Sequence, residues 1–204
     1  MTPPEFWIIA GVNGAGNSTL VTDKDIRSVI GQFSFLNPDL PVPCLSATLP
    51  GISPIEANYA AVVAVEAIVK RRIAGDESVG VETVLSSAKF MRHVDEARRR
   101  GFFLGMIYVG LPSVELAMRR VADRHALGGH DVPEDRIRDR WTRSHDNLGR
   151  FAAPVDLLLV YSNADSTGRP VLVARKTDVG MDLLRPGVLP EVDRRLSGLT
   201  PAAR

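Results

Sequence analysis

Cysteine is nearly absent from this sequence. Cys44 stands alone among 204 residues, so no internal disulfide framework holds the chain, and a reducing compartment is expected. An excess of one charge is also missing. With 25 basic against 24 acidic side chains the net charge is +1, which excludes a global field aimed at nucleic acid or at a membrane surface. Any anion-binding surface has to be local. No apolar run approaches the roughly 18 residues that a membrane span requires. Pro3, Pro4 and Glu5 stand before the first apolar stretch in place of a basic leader region, so a cytoplasmic protein is expected. The four histidines show no metal-ligand spacing with Cys44 or with one another. Repeats and low-complexity segments are lacking as well. What is present is ordinary for a globular domain, 45% hydrophobic and 24% charged, and long enough to bury one α/β core.

Short apolar runs alternate with longer amphipathic ones, the pattern of βα units around a parallel sheet. Phe6 to Ala10 reads as a buried strand, followed by a Gly-rich turn and a helix from Ser18 to about Ile30. Phe33 to Leu36 reads as a brief second strand, and the three prolines within 40–50 predict an extended loop. Ser53-Pro54 has the form of an N-cap with proline at the first helical position, opening a helix that stops at Gly75. Ser78 to Val84 predicts a strand, Ala88 to Arg100 a helix closed by Gly101, and Phe102 to Gly110 a further strand. Two helices, Val114 to Leu127 and Pro133 to Leu148, flank the turn at 128–131. Asp156 to Tyr161 and Pro170 to Ala174 read as strands, while few periodic signals follow Thr177.

Gly11-Val12-Asn13-Gly14-Ala15-Gly16-Asn17-Ser18-Thr19 matches the phosphate-loop spacing G-x-x-x-x-G-K-S/T at every place but the lysine. A buried strand enters this loop and a helix leaves it. Glycines let successive backbone N–H groups turn inward as an anion nest, and the start of a helix adds the positive end of its dipole. Gly11, Asn13, Gly14, Ala15, Gly16, Asn17, Ser18 and Thr19 are therefore the candidate ATP-binding residues. Ser18 stands where the hydroxyl that ligates Mg²⁺ belongs. Asn17 is shorter than lysine and neutral. Loss of one such preorganised donor costs on the order of 10²–10³ in rate, while backbone phosphate binding is untouched. The expected architecture is a P-loop NTPase-type three-layer α/β sandwich. It has a mainly parallel sheet of about five strands, and a helical lid at about 113–148. Residues 1–177 are expected to form the domain, and 178–204 a C-terminal tail.

Further segments follow in order: Asn37-Pro38-Asp39, Glu82-Thr83-Val84-Leu85-Ser86 and Gly129-His130-Asp131-Val132-Pro133. Together with the glycine loop, they make the chain resemble the zeta-toxin-like family of P-loop kinases over roughly residues 5 to 176. The resemblance implies an ATP-dependent small-molecule kinase. Relatives of that kind phosphorylate UDP-N-acetylglucosamine and belong to toxin–antitoxin pairs, so a nucleotide-sugar acceptor and an antitoxin protein are the implied partners. The chain departs from the family pattern at Asn17.

The same residues carry a chemical reading. Asp39 follows the second strand on the side where α/β sheets bind ligands, placed to accept a proton from an attacking hydroxyl; the alternative is a turn cap. Glu82 leaves a buried strand beside the phosphate loop, suited to a metal-bound water or a substrate hydroxyl, or else to capping the turn. Thr83 is a weaker candidate there. Arg120, Arg124 and Arg140 bracket the turn at 128–131. Two helices joined in this way resemble the lid of small kinases, whose arginines neutralise phosphate charge; the alternative is a solvated basic face. Asn163, after the last strong strand, lies where an adenine contact is expected. Three functions remain open: a kinase impaired by Asn17, a non-catalytic nucleotide-binding regulatory protein, and an active parent kinase in which Asn17 is a selected or engineered change.

Overall fold

The apolar run at 6–10 becomes the middle of β1 (Glu5–Gly11), whose residues from Phe6 onward are all buried. A strand apolar on both faces has to lie inside a sheet covered on both sides, and β1 does. The other strands are β2 (Phe35–Leu36), β3 (Val79–Thr83), β4 (Phe103–Gly110), β5 (Leu157–Ser162), β6 (Val171–Lys176) and β7 (Met181–Leu183). The helices are α1 (Asn17–Leu20), α2 (Lys24–Ile30), α3 (Pro54–Ala74), α4 (Met91–Arg99), α5 (Val114–Ala126), α6 (Glu134–Ala152) and α7 (Pro190–Leu196). The computed structural model describes residues 2–31, 35–38, 51–128, 132–164 and 169–199.

The sheet order is β2-β3-β1-β4-β5-β6-β7. The first five strands of that order run parallel, as the alternating pattern predicted. The sheet has seven strands rather than five, because β6 and β7 extend it as an antiparallel edge. Register positions the site. Leu36 pairs with Val81, which sets Asn37 beside Glu82, and Gly11 pairs with Val109.

Two buried clusters lie on the two faces of the sheet. One joins Trp7, Ile9, Ile107 and Val109 to Ile26 and Ile30 of α2 and to Ala117 and Val121 of α5. The other joins Phe6, Ile8, Met106 and Tyr108 to Val65 and Val69 of α3, to α4 and to α7. Helix α6 serves both layers, with Ile137 in the first cluster and Leu148 and Phe151 in the second.

Capping fixes where the helices start. At α3, Ser53 and Glu56 form a reciprocal capping box with proline in the first turn, as the Ser53-Pro54 pair predicted. The helix expected from Ser18 to Ile30 is broken in two. Asp23 accepts from the backbone N–H groups of Asp25 and Ile26, so the chain restarts as α2 after a turn, with Thr22 Oγ1 donating to the Thr19 carbonyl at 2.7 Å. The segment after Thr177 contributes β7 and α7. Leu189, Val192 and Leu196 are all buried there, each worth about 2 kcal/mol of apolar burial. Among the described residues no helix is long and apolar enough to cross a membrane.

Candidate phosphate and metal site

The loop between β1 and α1 turns through Gly14 at φ 76° and Gly16 at φ 89°, left-handed conformations that favour glycine. Ala15 N–H closes the turn onto the Val12 carbonyl at 3.1 Å. Because α1 is only four residues long, the dipole expected from a long helix is small. An anion at this loop would therefore be held by the turned backbone amides more than by a helix dipole.

Ser18 and Thr19 stand exposed at the start of α1. Ser18 Oγ donates to Glu82 Oε1 at 2.6 Å, and Asn37 Nδ2 donates to Glu82 Oε2 at 2.9 Å. The carboxylate at the end of β3 is thus gripped from both sides. The proton of Ser18 points to Glu82, so its oxygen lone pairs are left for a cation. One hydroxyl and one nearby carboxylate fit Mg²⁺, which keeps several waters and takes the rest of its ligands from phosphate. Among the described residues no group of three or more His, Cys, Asp or Glu is placed to hold a metal by itself.

Asn17 behaves differently. Its Nδ2 donates to the Gly11 carbonyl at 3.2 Å, and since a carbonyl can only accept, this fixes the amide with Oδ1 as the acceptor. That Oδ1 is buried without a hydrogen-bond donor, as is Oδ1 of the half-buried Asn13. A Cβ on Gly11 would fall 2.3 Å from Asn17 Oδ1 and 2.4 Å from the Val109 carbonyl. The Asn17 amide therefore folds back on the strand end. It does not project over the loop as a lysine ammonium would.

Arg120 lies beside the loop: its Cβ is 3.2 Å from where a Cβ on Gly14 would be. Arg120 Nη2 donates to the Ala164 carbonyl at 3.5 Å. Arg124 is exposed one turn further along α5, and Arg140 is half-buried on α6. An Arg138–Glu115 ion pair at 3.6 Å links the two helices, and Arg143 pairs with Asp139 within α6. Asp39 and His130 lie outside the described residues. Thr83 is occupied locally, its Oγ1 accepting from Leu85 N–H at 3.1 Å. Leu85 sits at φ 61°, and its carbonyl accepts from Asn147 Nδ2 at 2.9 Å, so α6 braces the turn after Glu82. Asn37 was read only as part of a motif. Its role depends on strand register, which spacing along the chain does not show.

No family model matches the chain. An uncharacterised protein of Haemophilus influenzae is 25% identical over 149 residues, covering 69% of this chain and 100% of that protein. The crystal structure of AvrRxo1-ORF1:-ORF2 with ATP superposes with a TM-score of 0.72 at 14% identity, over 100% of this chain and 67% of that one. This chain thus spans about two thirds of the chain it matches there. The PezAT chromosomal toxin–antitoxin system of Streptococcus pneumoniae gives 0.62 at 15% identity, over 80% and 69% of the two chains. A candidate kinase from Chloroflexus aurantiacus gives 0.54 at 17%, over 70% and 78%. The chain has the α/β fold of the P-loop kinases, the same fold to which its ordered motifs pointed through their resemblance to the zeta-toxin-like group.

Proposed function

We propose that this protein is a zeta-toxin-like, ATP-dependent small-molecule kinase whose activity is impaired by Asn17. The observation that carries the reading is the Ser18–Glu82–Asn37 array: a loop hydroxyl, a strand-end carboxylate and a supporting amide at hydrogen-bonding distances of 2.6 and 2.9 Å. Ser18 and Glu82 are the residues that would hold Mg²⁺, Ser18 directly and Glu82 through water. When bound, the ion neutralises charge on the β- and γ-phosphates. The turned amides of Gly14 to Thr19 hold the phosphates, and Arg120, with Arg124 and Arg140 on the lid helices, adds positive charge over them. Asp39 is assigned as the base that accepts the proton of the acceptor hydroxyl.

The acceptor class, a nucleotide sugar such as UDP-N-acetylglucosamine, rests on the motif resemblance. An antitoxin partner rests on the same resemblance and on the likeness to the PezAT system. A cytoplasmic location rests on the lone cysteine, which fits a reducing compartment.

The test is Asn17→Lys, assayed with labelled ATP against a panel of nucleotide sugars, sugars and nucleosides. Transfer should rise on the order of 10²–10³, the value of one transition-state donor. A lysine form that binds ATP but neither transfers phosphate nor hydrolyses ATP faster would sink the kinase reading. The second reading, a nucleotide-binding protein without catalysis, is favoured by one observation. Asn17 Nδ2 hydrogen bonds inward to the Gly11 carbonyl, so the loop takes its turned form with a neutral side chain at position 17.

A further inference from the structure

Asn163 follows β5 by one residue, at the sheet edge where α/β proteins bind ligands. Position alone suggests a nucleobase contact there. The side chain is instead committed to the phosphate loop. Its Nδ2 donates to the Ala15 carbonyl at 2.8 Å, and its backbone N–H donates to the Gly110 carbonyl at 3.0 Å. The loop accommodates this closely, since a Cβ on Gly16 would lie 2.8 Å from Asn163 Nδ2. The support continues behind it. A Cβ on Gly110 would lie 2.6 Å from Leu189 Cδ1, so the buried side chain at the start of α7 packs under the backbone that holds Asn163. Contacts thus run unbroken from Leu189 through Gly110 and Asn163 to Ala15.

A trans peptide is planar, with its C=O and N–H pointing to opposite sides. Holding the Ala15 carbonyl toward Asn163 therefore turns the Gly16 N–H away from Asn163. In an ordinary phosphate loop a lysine also spans this region. Here Asn17 reaches only Gly11, so the peptide between Ala15 and Gly16 takes its direction from Asn163.

We propose that Asn163 is the positioning residue of the phosphate loop, setting its anion-binding amides independently of the nucleobase. This rests on the reading that the loop binds nucleotide phosphates. The experiment compares ATP with inorganic tripolyphosphate, which has no base, by titration calorimetry with Mg²⁺. The proteins are the parent chain, Asn163→Ala and the near-isosteric Asn163→Leu, which keeps the volume if the smaller variant packs poorly. Both variants should lose about tenfold in affinity for both ligands, by the same factor, as expected when one buried hydrogen bond is removed. Thermal unfolding of Asn163→Leu should stay close to the parent, separating loop placement from general stability. Loss confined to ATP would assign Asn163 to the adenine and overturn the proposal, and so would unchanged affinity for both ligands. A parent chain that binds neither ligand removes the nucleotide reading itself, a result distinct from either variant outcome.

Discussion

The two flanks of the phosphate loop are built to different standards. On the Ser18 flank the hydrogen bonds interlock: Ser18 meets Glu82, Glu82 meets Asn37, and Thr83 and Asn147 fix the turn beyond. On the Asn17 flank, Asn17 makes one hydrogen bond and leaves a buried oxygen without a donor. Such an acceptor costs about 1–3 kcal/mol when it meets neither protein nor water. The contrast teaches that loop shape and loop charge are separable. Shape comes from glycine conformations and side-chain amides. Both are in place here with a neutral side chain at position 17.

The most damaging way to break the contrast is to dismantle the good flank. In the Asn17→Lys form, Glu82→Gln should lower phosphoryl transfer on the order of 10²–10³, since it removes the carboxylate that holds the Ser18 hydroxyl, the proposed metal ligand. The assay is turnover at saturating Mg²⁺–ATP, and turnover within twofold of the Asn17→Lys form would remove Glu82 from the metal site. Removing the amide support should cost less. Asn37→Ala should weaken Mg²⁺–ATP binding by about tenfold, the value of a hydrogen bond to a charged group, and leave binding of metal-free ATP nearly unchanged. Equal weakening of both would mean that Asn37 supports the loop as a whole.

Smaller still is the arginine effect. Arg120→Ala should reduce ATP affinity a few-fold, and Arg99→Ala should not, because Arg99 pairs with Glu96 at the far end of α4. Equal effects at both positions would return Arg120 to a solvated face.

The mildest expectation concerns pH and lies away from the loop. Burial pushes the pKa values of His145 and His93 below their usual 6.5. His145 Nδ1 meets the Trp141 carbonyl at 2.8 Å, while its Nε2 is buried without a partner. The unfolded chain therefore binds more protons than the folded one. The stability these histidines contribute is complete above about 6.5, the unfolded value, and falls as pH drops toward the folded value. Thermal midpoints measured from pH 7.5 down to 5.5 should decline, and His145→Leu should flatten the curve. A slope unchanged in that variant would exclude His145 as a source.

Much of this arrangement was legible in the chain. The glycine spacing, Ser18 and Glu82 stand out because strand and loop chemistry are local, and the Ser53–Glu56 cap is a short-range pattern. The break at Asp23 left a local signal, since Asp23 followed by Asp25 is a helix start, although the apolar residues Leu20, Ile26 and Ile30 on both sides of it read as one helix. Helix α7 also left one, since Leu189, Val192 and Leu196 repeat at helical spacing around a Pro190 placed at the first helical position. Asn163 left none. An amide that meets a carbonyl 148 positions away depends on how β5 is stacked beside β4, and nothing in its immediate neighbours encodes that.

Lys176 ends β6 fully buried, its ammonium donating to the carbonyls of Ala152, Ala153 and Val155, while Arg98 donates to that of Pro154 at 2.7 Å. Two cations thus hold the C-terminal end of α6, the helix that begins in the expected lid. Further along, Asn147 is tied to Leu85, and Ser144 lies 3.1 Å from the buried Tyr108 hydroxyl. Mechanically this makes α6 a lever clamped at one end. Toward its start the grip is lighter, a single buried Ile137 and the exposed Arg138–Glu115 pair, and Arg140 lies on that less tightly held part, one turn before Ser144.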